Sequence, residues 1–171
     1  MQQGDTICAV ATAKGEGGIG IIRISGNNAQ LVAAKVFRAA SGKDLAEYKS
    51  YQAVYGHIVA SDGKIVDEAI ALIMRGPHSY TCEDVVELQC HGGMMPLRKT
   101  LQLTYEAGAR PAERGEFTKR AFLNGRLDLT QAQAVMDVIS AKTEKSLAMA
   151  EGHLNGQLSQ LINDLRHNIL G

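Results

Sequence analysis

The chain has 171 residues, 45% hydrophobic and 21% charged, which is enough apolar material to bury a core and argues for one domain, or one domain with an appendage, over a disordered chain. Lysine plus arginine equals aspartate plus glutamate at 18 each, which excludes the strongly basic footprint of a protein whose own surface grips nucleic acid; any RNA contact is local or lies elsewhere. Three cysteines, Cys8, Cys82 and Cys90, form no CxxC pair, and no signal-like or long apolar stretch occurs, so the expected setting is reducing and cytoplasmic, without a membrane partner.

From Thr6 to Thr12 and from Ile19 to Ser25 the chain runs in short β-branched stretches, predicting two strands joined by a loop containing Gly15, Gly17, Gly18 and Gly20. Asn27 or Asn28 is placed to cap a helix in which Leu31, Val32, Val36 and Phe37 recur at three- and four-residue spacing, ending near Gly42. Tyr51 to Ala60 and Lys64 to Met74 flank Asp62-Gly63, a pair that readily takes the positive φ angles of a hairpin turn. Asp84 to Cys90 reads as a further strand, and Met94 to Ala107 as a helix stopped by Gly108.

After Phe117 the strand-like runs cease. Helical patterns follow from Thr118 to about Asn124 and from Thr130 to about Ala141, where Val135, Val138 and Ile139 share a face. Leu147, Ala150, Leu154, Leu158, Leu161, Leu165 and Ile169 then draw one apolar stripe down a helix of about 40 Å at about 1.5 Å per residue. Such a stripe needs a partner surface, and its abrupt end predicts a truncated or divided protein. The expected fold is therefore α+β: residues 1–117 form a mixed sheet with two helices, and residues 118–171 begin a helical domain.

Gly15-Glu16-Gly17-Gly18-Ile19-Gly20 satisfies GxGxxG, but a dinucleotide site needs a helix to open at those glycines, and the strand-like Ile21-Ile22-Arg23-Ile24 follows instead. The glycines are better read as a tight inter-strand loop. No GxxxxGK[ST] occurs, so this chain lacks the phosphate-cradling loop of a P-loop enzyme and is not expected to hydrolyse GTP. Cys90-His91 juxtaposes two zinc-ligand types without the spacing that would complete a site, and no metal site is expected. Cys82 and His78 read as ordinary loop residues. Arg23 alternates with Ile22 and Ile24 and would by itself be a solvent-facing strand residue. Glu83, Asp84 and Glu87 form an acidic cluster in which Glu87 faces away from Val86 and Leu88, leaving it solvated, paired or a ligand group.

Several runs stand out in order along the chain: Ala11-Thr12 with the glycine cluster, Gly20-Ile21-Ile22-Arg23-Ile24-Ser25-Gly26, Tyr80-Thr81-Cys82-Glu83-Asp84-Val85-Val86-Glu87, and Gln89-Cys90-His91-Gly92-Gly93. They are followed by Ala109-Arg110-Pro111-Ala112-Glu113 and the longest, Gly115-Glu116-Phe117-Thr118-Lys119-Arg120-Ala121-Phe122-Leu123-Asn124-Gly125-Arg126-Leu127-Asp128-Leu129. These blocks resemble signatures of the MnmE/TrmE family of tRNA-modification GTPases, keep that family's order and span most of the chain.

The resemblance implies an N-terminal domain similar to the tetrahydrofolate-binding part of aminomethyltransferases, followed by a helical domain into which a GTPase domain is inserted. It implies a homodimer that holds 5-formyltetrahydrofolate. In the whole protein it implies GTP hydrolysis with potassium and magnesium, and an FAD-dependent partner, MnmG, with which the wobble uridine of tRNA is modified to the 5-carboxymethylaminomethyl type. Carried over position by position, the folate contacts fall on Arg23, Glu87 and Arg126. The chemistry is sensible: a pterin's amino-pyrimidine edge presents adjacent N–H donors to a carboxylate, and guanidinium groups suit the ligand's carboxylates or carbonyls. Arg126 is often Lys in this family, Cys82 usually Gly and Arg114 often Pro. Two other readings stay open: a self-sufficient folate-dependent one-carbon transferase, and a purely structural dimerisation module.

Overall fold

The computed structural model describes residues 4–13, 15, 17–157, 160 and 164. It divides into two units, Met1–Arg114 and Gly115–Gly171.

Among the described residues, the first unit holds a seven-stranded sheet and two α-helices. Strands β1 (Ile7–Val10), β2 (Ile19–Ser25), β3 (Phe37–Ala39), β4 (Gln52–Val59), β5 (Ile65–Met74), β6 (Val85–His91) and β7 (Arg110–Pro111) lie in the order β3-β4-β5-β6-β2-β1-β7. Only β1 and β7 pair in parallel, which makes the sheet mixed and the class α+β, as expected.

Period-two alternation sets one face of the sheet for burial. Ile22 and Ile24 of β2, Val86 and Leu88 of β6, and Ala71 and Ile73 of β5 share a core with helices α1 (Ala29–Val36) and α2 (Met94–Glu106). Ile22, Ile24, Ile73 and Leu88 are fully buried, and each such burial stabilises by about 1.5–3 kcal/mol over an exposed side chain. The intervening residues, Arg23 and Glu87 among them, are therefore delivered to the opposite face. At Gly56 of β4 a Cβ would lie 2.1 Å from the Arg38 carbonyl oxygen and 2.6 Å from the Phe37 ring, so the missing side chain is what lets β3 close against β4.

The structure departs from the sequence reading in several places. The first helix stops at Val36 instead of running toward Gly42, because Phe37 enters β3 opposite Ile58 and becomes buried there; a non-local pairing overrides the local helical spacing. Asn28 holds the N-cap position without a side-chain cap, and its backbone N–H donates to Thr6 Oγ1 at 3.1 Å. In the β4–β5 hairpin Gly63 takes a positive φ of 82° but Asp62 does not. A 3-10 turn at Leu45–Glu47, closed by a reciprocal Asp44–Glu47 capping box, was not expected either.

The second unit is helical: α3 (Glu116–Leu123), α4 (Leu129–Ser140) and α5 (Glu144–Leu154). Asp128 caps α4 and Thr143 caps α5, each in a capping box, with Gln131 and Ser146 answering three residues on. Gln131 also donates to the Leu154 carbonyl at 2.9 Å, tying the start of α4 to the end of α5. Inside α3, Glu116 and Arg120 form a buried i,i+4 ion pair at 3.1 Å. The predicted unbroken stripe is corrected here: α5 ends at Leu154 and Gly156 takes a left-handed φ of 80°, the usual way a helix terminates. Leu158, Leu161, Leu165 and Ile169 lie outside the described residues. No described helix is long and apolar enough to cross a membrane.

Candidate functional site

β2 and β6 bring Arg23 and Glu87 directly opposite one another in register, on the face turned away from α1 and α2. Arg23 Nε donates to Glu87 Oε1 at 2.8 Å, with the two side chains 28% and 12% exposed. A carboxylate so largely withdrawn from water needs partners, and Arg23 supplies one to Oε1. The second oxygen, Oε2, accepts no hydrogen bond from the described residues. The Arg23 guanidinium also lies over the Tyr80 ring, 5.5 Å from its centroid.

Tyr80 belongs to the segment between β5 and β6, and its neighbours are pinned. Thr81 is fully buried and its Oγ1 is 2.7 Å from Ser25 Oγ, which in turn donates to Glu83 Oε2 at 2.8 Å. Gln30 and the backbone N–H of Gly76 both donate to Asp84, at 3.0 Å each. The acidic cluster read from the sequence thus separates into three roles. Glu83 anchors the segment to β2, Asp84 anchors it to α1 and its own start, and Glu87 faces Arg23.

Further along the same face, Gln89 stands two residues from Glu87 and opens onto a shallow depression of about 200 Å³ walled by Ile19, Tyr55, Glu68, Ile70 and His91. That is below the ~300 Å³ at which enclosed small-molecule sites usually begin. His91 Nδ1 is 2.6 Å from Asp67 Oδ1, and the hydrogen bond and charge of Asp67 raise the imidazole above its ordinary 6.5. Cys90 turns the other way: it is buried in the core, with its thiol toward the Gly20 carbonyl and pushed up by burial. Adjacent strand residues facing opposite sides of a sheet cannot grip one ion together. Among the described residues no group of three or more His, Cys, Asp or Glu is arranged to hold a metal.

The family model described as "GTP-binding protein TrmE N-terminus" matches residues 6–126, a span that takes in the whole sheet and both helices of the first unit. The chain belongs to that family. It is 55% identical to the "tRNA modification GTPase MnmE" of Symbiobacterium thermophilum, over 97% of this chain and 36% of that protein. The proteins of the same name from Lactiplantibacillus plantarum and Desulforamulus reducens are 56% and 51% identical, over 97% and 98% of this chain. The chain spans about a third of the length of these curated relatives: 36%, 35% and 36%.

Of the three residues that the TrmE resemblance singles out, the structure joins Arg23 with Glu87. Arg126 lies in the second unit, exposed on the turn between α3 and α4, where its backbone N–H donates to the Ala121 carbonyl at 2.9 Å. Sequence reasoning missed Tyr80, whose signal was slight: an aromatic in a polar segment just ahead of a strand. It also missed the His91–Asp67 pair, which depends on β5 and β6 being neighbours.

Proposed function

We propose that this chain is the N-terminal part of a tRNA-modifying GTPase and that it binds 5-formyltetrahydrofolate through Glu87 and Arg23 on the sheet face opposite α1 and α2. The observation that carries the reading is the Glu87 carboxylate, 12% exposed, with one oxygen engaged by Arg23 and the other accepting no hydrogen bond from the described residues. Such an oxygen suits the adjacent N–H donors of an amino-pyrimidine, and the Arg23 hydrogen bond to the other oxygen keeps the carboxylate aimed. The bound folate would supply a one-carbon unit. Arg126 enters the reading through family resemblance, as a third, cationic contact.

The relatives' name, tRNA modification GTPase MnmE, supports the wider setting of a GTPase that modifies tRNA; potassium, magnesium and an FAD-dependent partner, MnmG, enter the proposal through the family resemblance alone. Homodimerisation of the first unit and a cytoplasmic location belong to the same proposal, and light scattering of this chain checks the former. Titration calorimetry with 5-formyltetrahydrofolate tests the site. Saturable binding is expected for the natural chain, with a loss of more than about tenfold in Glu87→Ala, the scale of one charge-assisted hydrogen bond. Arg126→Ala in the same titration tests the third contact. No heat of binding to the natural chain overturns the folate reading.

A further inference from the structure

We infer that the depression beside Gln89 is the subsite for the aryl ring of the folate: the pterin sits at Glu87, and the p-aminobenzoyl group lies along β6 over Gln89, between Ile19, Tyr55 and Ile70. Resting on the folate reading of Glu87, this gives the ligand a direction along the strand. The direction follows from burial on the sheet face opposite α1 and α2. Every second residue of β2 and β6 points to that face, as the cross-strand pairs Ser25–Val85, Arg23–Glu87, Ile21–Gln89 and Ile19–His91. Ser25 and Val85 are fully buried, and Ser25 Oγ is joined to Thr81 and Glu83 of the segment between β5 and β6. Arg23 and Glu87 are largely shielded, Ile21 and Gln89 are half-buried, and Ile19 and His91 are exposed. The face is thus covered at one end and opens steadily toward the other. A flat group anchored at Glu87 has room to extend toward Gln89 and none toward Val85.

The depression at the open end fits one ring and not a whole ligand. Its volume of about 200 Å³ exceeds the roughly 150 Å³ that holds a benzene-sized ring among aliphatic side chains. Gln89 is flanked by Ile70 of β5 and Ile21 of β2, and Tyr55 of β4 stands across from Ile70. Ile70 and Tyr55 are exposed, so a ring laid against them removes apolar surface from water on both partners. The Gln89 amide, in the middle of this apolar surround, can meet the amine or the carbonyl of the p-aminobenzoyl group. At the mouth, Glu68 and Asp67 accompany His91. Two carboxylates against one imidazole offer no net attraction to the ligand's own tail carboxylates, and the glutamate tail runs out into solvent.

Calorimetry on this chain tests the subsite with 5-formyltetrahydrofolate, with 5-formyltetrahydropteroate, which lacks the glutamate tail, and with 5-formyltetrahydropterin, which lacks the aryl ring as well. The folate and the pteroate should bind within about twofold of each other, and the pterin about tenfold more weakly, the scale of burying one ring. In Ile70→Ser the advantage of pteroate over pterin should shrink to about threefold. A merely structural lesion would weaken both ligands alike and leave their ratio intact. Gln89→Trp, which fills the depression from the neighbouring strand, should also reduce that ratio and serves as the second variant should serine disturb β5. Equal binding of pterin and pteroate to the natural chain overturns the inference, as does a ratio unmoved in both variants; pterin binding then leaves the Glu87 reading standing. A loss on removing the tail as large as that on removing the ring overturns it too. Absence of binding of all three to the natural chain overturns the folate reading, and the aryl subsite with it.

Discussion

Arg23 and Glu87 are 64 residues apart in sequence and nearest cross-strand neighbours in the sheet, with Nε donating to Oε1 at 2.8 Å. Both side chains are shielded enough for the pair to contribute to folding as well as to binding. A double-mutant cycle with Arg23→Ala and Glu87→Ala, followed by chemical denaturation, is expected to give a coupling energy of about 1 kcal/mol. Additive single effects would mean that the two charges are solvated separately.

Cys82 adopts a left-handed backbone conformation, φ 58°, that costs a residue with a Cβ about 1–2 kcal/mol. Cys82→Gly relieves this strain, and the greater freedom of glycine in the unfolded chain returns part of the gain. The variant should be more stable by about 0.5–1 kcal/mol, read as a higher denaturant midpoint at an unchanged m-value. A lower midpoint would show that the thiol's packing outweighs the backbone term.

Gly56→Ala should be far more damaging than an ordinary surface change. Its Cβ would meet the Arg38 carbonyl and the Phe37 ring, and backbone held in a strand pair cannot retreat as a flexible side-chain tip can. A loss of about 2–3 kcal/mol is expected, seen as a fall in melting temperature.

Asp67 raises the His91 pKa above its unfolded value of 6.5 by hydrogen bonding and by charge. The imidazolium–carboxylate contact therefore contributes stability that is complete below about pH 6.5 and is lost as pH rises through the higher folded value. The natural chain should lose stability across that window, and Asp67→Asn should lose this component. A proton titration of the His91 ring that gives the same midpoint in both proteins would remove the basis for the prediction.

Thiol reactivity should divide the cysteines. Cys8 and Cys90 are buried and burial pushes both thiols up, whereas Cys82 is half-buried in the segment ahead of β6. A thiol reagent at neutral pH is expected to modify Cys82 rapidly in the native protein and to reach Cys8 and Cys90 only after denaturation. Equal rates at all three would place the β1 and β6 cores within easy reach of solvent.

The amino-acid order alone determined whatever depends on near neighbours. Alternation along β2 and β6 told which of their residues face the core, the Asp62-Gly63 turn told where a hairpin reverses, and motif order told the family. The same local logic failed at Phe37, whose helical spacing was real but weaker than pairing with Ile58. It failed again at Gly156, where a left-handed residue broke the stripe that spacing alone extended. Arg23 and Glu87 were each legible as polar residues on a strand's second face, yet nothing local says that β2 lies beside β6, or that the segment bearing Tyr80 folds back over Arg23. Those facts belong to the tertiary structure, because they are set by burial of one shared core that draws distant strands together, and the polar residues between the buried ones are carried to their partners along with them.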